Sequence, residues 1–193
     1  SRFSPGARTR GCRQSRRLRL EPLESREMLN AAPSVYIDVP GRELDTDFGS
    51  EGFVSLAVED QNTFGNDVAI QEDGKIVVVG TTRPPGSGVG TTAMVVMRFG
   101  ADGSIDTGFG LGGSRIVNAG NVGYGVAIGP DGSIVAVGNG WDISGSSMVI
   151  AKLTTAGALD GGFDGDGVVS ATFISGRPST GSDIAVQGDG RIV

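Results

Sequence analysis

An Asp-Gly pair between two short apolar runs recurs at a constant interval in this chain. Asp73-Gly74, Asp131-Gly132 and Asp189-Gly190 are each 58 residues from the next. A fixed period of that size makes the chain an array of one supersecondary unit, so the unit sets the meaning of each residue within it. Each pair is flanked by strand-like runs. In Asp67-Val68-Ala69-Ile70-Gln71, Val68 and Ile70 share one face, and Gly125–Gly129 and Asp183–Gln187 repeat the alternation. The return runs, 75–80 and 133–138, are apolar on both faces, as in a strand covered on both sides. Asp-Gly between such runs is a strong short-range hairpin signal, because both residues tolerate positive φ.

Each unit opens on an aliphatic residue and Asp, with Phe three positions after the Asp: Leu44-Asp45…Phe48, Ile105-Asp106…Phe109 and Leu159-Asp160…Phe163. Short apolar strands are expected next, over 53–58, 115–117 and 168–173. The hairpin follows, then a further strand over 94–99 or 148–153. Glycine is abundant, 34 residues of 193, which suits tight turns and opposes long helices. The fold class expected is all-β: tandem four-stranded antiparallel blades of a partial β-propeller. An open β-repeat array, such as a β-solenoid, is the alternative. The repeats divide as 44–104, 105–158 and 159–193. The third stops inside its return strand, which marks the chain as an expected fragment of a longer protein.

Charge divides along the chain. Residues 1–29 carry eight arginines against three glutamates, whereas 44–193 carry seven basic and seventeen acidic residues. The acidic body opposes nucleic-acid binding, which depends on neutralised phosphates. The arginines of the leader come without stacking aromatics. The chain has no histidine, which excludes Ser-His-Asp and Cys-His catalysis and His-ligated metals within it. The single cysteine, Cys12, lies in the leader, so the body has no disulfide framework. No run approaches the 18 apolar residues a membrane span needs.

Together, Leu/Ile-Asp-x-x-Phe-Gly and Asp-Val-Ala-Ile-Gln-x-Asp-Gly-Lys-Ile-Val-Val-Val-Gly resemble the delta-60 repeat family over residues 44–193. The resemblance implies a β-propeller-like domain of a large bacterial protein, secreted or surface-attached, with no assigned activity. The third copy departs at Asp164, where the others have Gly49 and Gly110. Residues 16–29 resemble the LEPR-XLL segment found near the N-terminus of very large bacterial surface or secreted proteins. Ser15-Arg16-Arg17 has the look of a twin-arginine start. Glu21, Pro22, Glu24, Arg26 and Glu27 then replace the apolar core of a conventional signal. Residues 1–29 therefore read as a basic leader, disordered or with a short amphipathic helix over 23–30, and residues 30–43 as a linker.

Asp160, Asp164 and Asp166 are the sharpest chemical cluster. Asp164-Gly165-Asp166-Gly167 resembles part of a calcium loop, with oxygens gathered by a Gly-permitted turn. Counted from Asp164, the twelfth position is Ser175 rather than Glu. The equivalent positions in the other copies are Gly49 with Glu51 and Gly110 with Gly112. A tight structural turn is the competing reading. The recurring Asp45, Asp106 and Asp160 read as caps or Asx-turns. Phe48, Phe109 and Phe163 are expected to fill an inter-blade core. Trp141 lies in a variable loop, where its ring either stacks on a sugar or packs within the loop. Segments 81–92 and 139–147 are the expected contact loops. The glycine-rich runs 86–90 and 108–113 do not join a strand to a helix, so a phosphate cradle is not expected.

The function expected is that of a non-catalytic scaffold or interaction module, extracellular or on the cell surface. Its partners would be a protein or glycan ligand and further repeats of the same chain, with no nucleic acid, no membrane span and no cofactor. The alternatives are part of a propeller enzyme acting on glycans, or a calcium-stabilised adhesin.

Overall fold

The computed structural model describes residues 44–56, 58, 61–83, 91–119, 121–142, 145–173 and 177–193. They lie within the second of the chain's two compact units, Gly41–Val193. The leader at 1–29, the linker at 30–43, and the tips at 84–90 and 143–144 lie outside the described residues.

Among the described residues eight strands form two separate antiparallel sheets. Sheet 1 runs β1 (Asn62–Ile70), β2 (Ile76–Arg83), β3 (Ala93–Phe99) and β4 (Ser114–Val117), and sheet 2 runs β5 (Val122–Ile128), β6 (Ile134–Asp142), β7 (Gly145–Leu153) and β8 (Val168–Ala171). In each sheet spatial order equals chain order. This is the meander of a propeller blade, and it sets aside the solenoid alternative. No helix occurs among the described residues.

The Asp-Gly pairs build the hairpins by a route that differs from the expectation. Ile70 pairs with Ile76, which leaves five residues in the connection. Gly74 N–H donates to Gln71 O, and Gln71 N–H to Lys75 O. Only the glycine takes positive φ, +82°, while Asp73 accepts the Lys75 N–H on its carboxylate. Asp131 and Asp189 do the same for Ser133 and Arg191. The aspartate is thus an Asx cap within the turn, and the glycine alone supplies the left-handed residue. Asp102-Gly103, after β3, repeats the arrangement by capping Ser104 N–H.

The sheets are out of phase with the sequence repeat. The expected unit combined its opening strand with the hairpin that follows. Instead β4, which opens the second repeat, pairs with β3 and completes sheet 1, and β8 likewise completes sheet 2. No strand forms among the described residues of the expected 53–58 strand. The described residues there make only the single bridges Ser50–Phe53 and Val58–Gln61. The counterpart of β3 that would pair with this segment is not among the described residues. The third hairpin is held by the Val186–Ile192 bridge and by paired bonds between Ala185 and Val193.

Both faces of each sheet are apolar, as the unalternated strands require. Val77, Val79, Met94 and Val96 of sheet 1 meet Val126, Ile134, Ala136 and Leu153 of sheet 2 in the central core, with Phe109 fully buried among them. The other face of sheet 1 (Val95, Met97, Phe99) packs under Val54, Leu56 and Val58. The far face of sheet 2 takes Ile184, Val186 and Ile192 of the third repeat. A bulge in β1 leaves Asn66 unpaired, and one in β5 leaves Tyr124 unpaired. There the strands approach so closely that a Cβ on Gly80 would lie 1.8 Å from Phe64 O, and one on Gly138 1.9 Å from Val122 O. This explains the glycine at the same place inside both return strands, Gly80 of β2 and Gly138 of β6.

Candidate functional site

The sequence nominated two places: the aspartates of the third opening turn and the Trp141 hairpin tip. The aspartates do not converge. Asp160 accepts the Gly162 N–H at 3.0 Å on one oxygen and holds Lys152 Nζ at 3.1 Å with the other. Asp166 accepts the Val168 N–H at 2.9 Å. Asp164 adopts φ +53°, the left-handed conformation that Gly49 (+60°) and Gly110 (+57°) adopt in the other copies. Asp164 and Asp166 line a cleft of about 540 Å³ together with Arg115, Asn118 and Ser170. Among the described residues no three Asp, Glu, His or Cys side chains gather closely enough to hold a metal ion.

The recurring opening aspartates have a second role that turn chemistry did not reveal. Asp106 caps Gly108 N–H with one oxygen, and its other oxygen accepts from Arg98 Nε at 2.8 Å. Lys75 Nζ stands 3.2 Å from that same oxygen. Arg98 is buried. Its Nη1 donates across to Thr155 O of the second repeat and to Gln71 Oε1 at 3.4 Å, and its guanidinium lies 4.6 Å from the Phe109 ring centroid. Burial alone would push the Asp106 carboxyl up. Lys75 and Arg98 override it and hold the group below the usual carboxylate range. Lys152–Asp160 is the second copy of this pair, and there the Gly162 N–H, ahead of Lys152, lowers the carboxyl. The legible signal was a cation at one place in an otherwise apolar strand, Arg98 before Phe99 and Lys152 before Leu153.

The sheets are further joined through β1. Asn66 Nδ2 donates to Gly123 O at 2.7 Å, and Val126 N–H donates to Asp67 Oδ2 at 2.9 Å. Gln71 Nε2 reaches Gly132 O at 3.5 Å. These side chains are framework, each spent on an inter-blade contact.

Trp141 is different. It sits at the end of β6 opposite Ser146, with 68% of its surface exposed. Two residues back on the same strand face, Asn139 has a buried Oδ1 with no hydrogen-bond partner. Ser146 O accepts the Ser179 N–H, and Ser179 Oγ accepts the Phe173 N–H, which ties a second exposed aromatic, Phe173, to the same end of the sheet. Fifty-eight residues earlier, the position of Trp141 is held by Arg83. The strand frame is therefore constant while its tip chemistry changes from copy to copy.

Comparison with known families agrees with this architecture. Residues 71–109 and 129–163 match the model of a domain of unknown function (DUF5122), described as a beta-propeller. The two matched stretches each run from an Asp-Gly hairpin to the Phe of the next opening turn. The chain is a repeat protein of β-propeller type. No curated protein matches it. Among the described residues no helix is long and apolar enough to cross a membrane.

Proposed function

We propose that this chain is a non-catalytic interaction module: a propeller segment that holds variable strand tips in fixed positions, within a large exported or cell-surface bacterial protein. One observation carries the reading. The recurrent charged groups that could do acid–base work, Asp106 with Arg98 and Asp160 with Lys152, are engaged in holding the blades, whereas Trp141 stands exposed at a tip whose chemistry varies. A flat, exposed indole at a strand tip suits the face of a sugar ring, on which it can stack. Export rests on the resemblance of residues 16–29 to the LEPR-XLL segment.

The test is glycan-array and protein-array binding of the full chain beside its Trp141→Ala variant, with hydrolysis followed on every glycan bound. The expected outcome is binding without turnover that Trp141→Ala abolishes while the melting temperature holds. Turnover of a bound glycan would overturn the non-catalytic reading. Undiminished binding by Trp141→Ala would remove the tip from it.

A further inference from the structure

The cleft between β4 and β8, the last strands of the two complete four-stranded sheets, departs from the repeat on both of its walls. On β4, Arg115 shares a face with Val117 of the central core, and on β8, Ser170 shares a face with Val168, which packs against that core. Arg115 and Ser170 therefore extend the two facing walls outward from the core. They line a cleft of about 540 Å³ together with Asn118, Asp164 and Asp166. The neighbouring junction, where the first copy meets sheet 1, shows what these positions do elsewhere. Counted from Phe48, Phe109 and Phe163, the place of Arg115 is held by Val54 and Val169, and Ser170 corresponds to Ile116. Val54 and Ile116 both pack against the cluster of Val95, Met97 and Phe99, so an apolar pair occupies that junction.

The opening turn beside the cleft has changed as well. Asp164 stands where the other copies have Gly49 and Gly110. A Cβ on Gly110 would lie 2.1 Å from Ser114 O, inside the Leu111–Ser114 bridge. With a side chain at that place, the third turn forms no such bridge among the described residues, and the Asp166 carboxylate accepts the Val168 N–H at 2.9 Å instead. Asp164 keeps the left-handed backbone, φ +53°, at a conformational cost that glycine avoids. On the other wall, Arg115 has a buried Nε with no hydrogen-bond partner, and among the described residues its guanidinium makes no ion pair. A cation has thus replaced valine on one wall, and a carboxylate has replaced glycine on the other, without the two pairing.

We propose that this cleft binds a small zwitterion, a free amino acid or short peptide, with its carboxylate on Arg115 and its ammonium on Asp164. The charges select the class of ligand. The guanidinium opposes a bare metal cation, and the two carboxylates oppose a simple anion such as phosphate. A neutral sugar would accept and donate hydrogen bonds but cover these charges without supplying counter-charges, which desolvation makes costly. A sugar acid would neutralise Arg115 alone. A zwitterion answers both walls, since Asp166 already spends one oxygen on Val168 N–H. Val117, Leu159 and Val168 give an apolar lining to a side chain of the ligand. Trp141 does not line this cleft, so the site stands or falls separately from the strand tip.

The test is calorimetric titration of the full chain with leucyl-leucine, beside N-acetyl-leucyl-leucine, leucyl-leucine amide and galacturonic acid. Saturable binding of the free dipeptide is expected, weakened about ten-fold or more by capping either end. Arg115→Val and Asp164→Gly each restore the residue that the other two copies carry, so both variants keep the blade. Each is expected to lower the affinity about ten-fold or more. Asp164→Gly should do so with a melting temperature that holds or rises, because the left-handed backbone no longer carries a side chain. No binding of the dipeptide, capped forms that bind equally well, tighter binding of galacturonic acid, or undiminished binding by either variant would each overturn the proposal.

Discussion

Arg98 is the side chain through which the two sheets are electrostatically joined, and Arg98→Met tests how much that junction is worth. The substitution keeps the stem packing and removes the guanidinium. Lost are the charged bonds to Asp106 and Thr155 O, each on the order of 1.5–3 kcal/mol, and the contact with Phe109, about 1–2 kcal/mol where desolvated. Recovered is the cost of keeping a cation out of water, several kcal/mol. Removing one partner of a buried pair typically costs about 3–5 kcal/mol, because the other charge is stranded. Here Lys75 stays 3.2 Å from Asp106, so the carboxylate keeps a counter-charge. A net loss of about 2 kcal/mol follows, or a melting temperature about 4–8 °C lower in a unit of this size. The built-in control is Lys152→Met. Its pair with Asp160 has side chains 25% and 29% exposed, so solvent screening makes its loss smaller than that of Arg98→Met. Scanning calorimetry of both variants gives the comparison, and Lys75→Met combined with Arg98→Met should cost more than the sum of the two, because Asp106 then stands alone. An Arg98→Met protein that melts with the parent, or one less affected than Lys152→Met, would refute the reasoning.

Two further expectations rest on the same framework. Asp106 has a folded-state pKa held below its ordinary value, as do Asp102 and Asp131 through bonds from Ser104 and Ser133, and Asp160. A depressed folded value contributes stability that is present above the unfolded pKa, about 3.9, and is lost as pH falls through the folded one. The melting temperature should therefore drop below about pH 4, with a shallower acid slope in Arg98→Met; an identical slope would show that Asp106 does not contribute. At the second opening turn, Gly110 (φ +57°) and Gly112 (φ +61°) share a left-handed backbone, but a Cβ on Gly110 would lie 2.1 Å from Ser114 O and one on Gly112 meets nothing within 4 Å. Gly112→Ala should cost about 1–2 kcal/mol and Gly110→Ala at least twice that in urea titrations; equal costs would mean the turn relaxes away from Ser114.

The hairpins were legible because two periodicities agree. Val68-Ala69-Ile70 alternates as a strand should, and the Asp-Gly pairs mark the turns at a fixed interval. The phase of the sheets was not legible, and the reason is physical. Ser114–Val117 is joined through its opening turn to the second repeat, where Gly110 N–H donates to Ala156 O, yet its strand edge pairs with β3 of the first. A sequence pattern records which residues are apolar, not which of two flanking strands they pair with. The candidate site divides in the same way. Asp106 and Asp160 stood out by recurrence, and their Asx-turns followed from residue type. Their partners Arg98 and Lys152 were visible only as charges inside apolar strands. Trp141 stood out in a variable segment, but whether its ring was exposed or packed within the loop was not legible, and Arg83 at the same place in the first copy gives it no recurring partner from which a ligand could be read.

The phase offset also bears on how the blades hold together. Because β4 belongs to one repeat by sequence and to another by pairing, neither sheet is complete within a single repeat. A cut at the sequence boundary, between residues 104 and 105, takes from sheet 1 both its edge strand and Asp106, the counter-ion of Arg98. A cut between Val117 and Val122 leaves each sheet with four strands, and Asp106 with Arg98. It still severs Asn66 and Asp67 from Gly123 and Val126, and exposes the apolar face beneath them. Neighbouring repeats are thus coupled three ways, by a shared strand, by shared ion pairs and by a shared core. The stability of any one repeat therefore depends on the next, as expected of a chain whose units bury their cores only against one another.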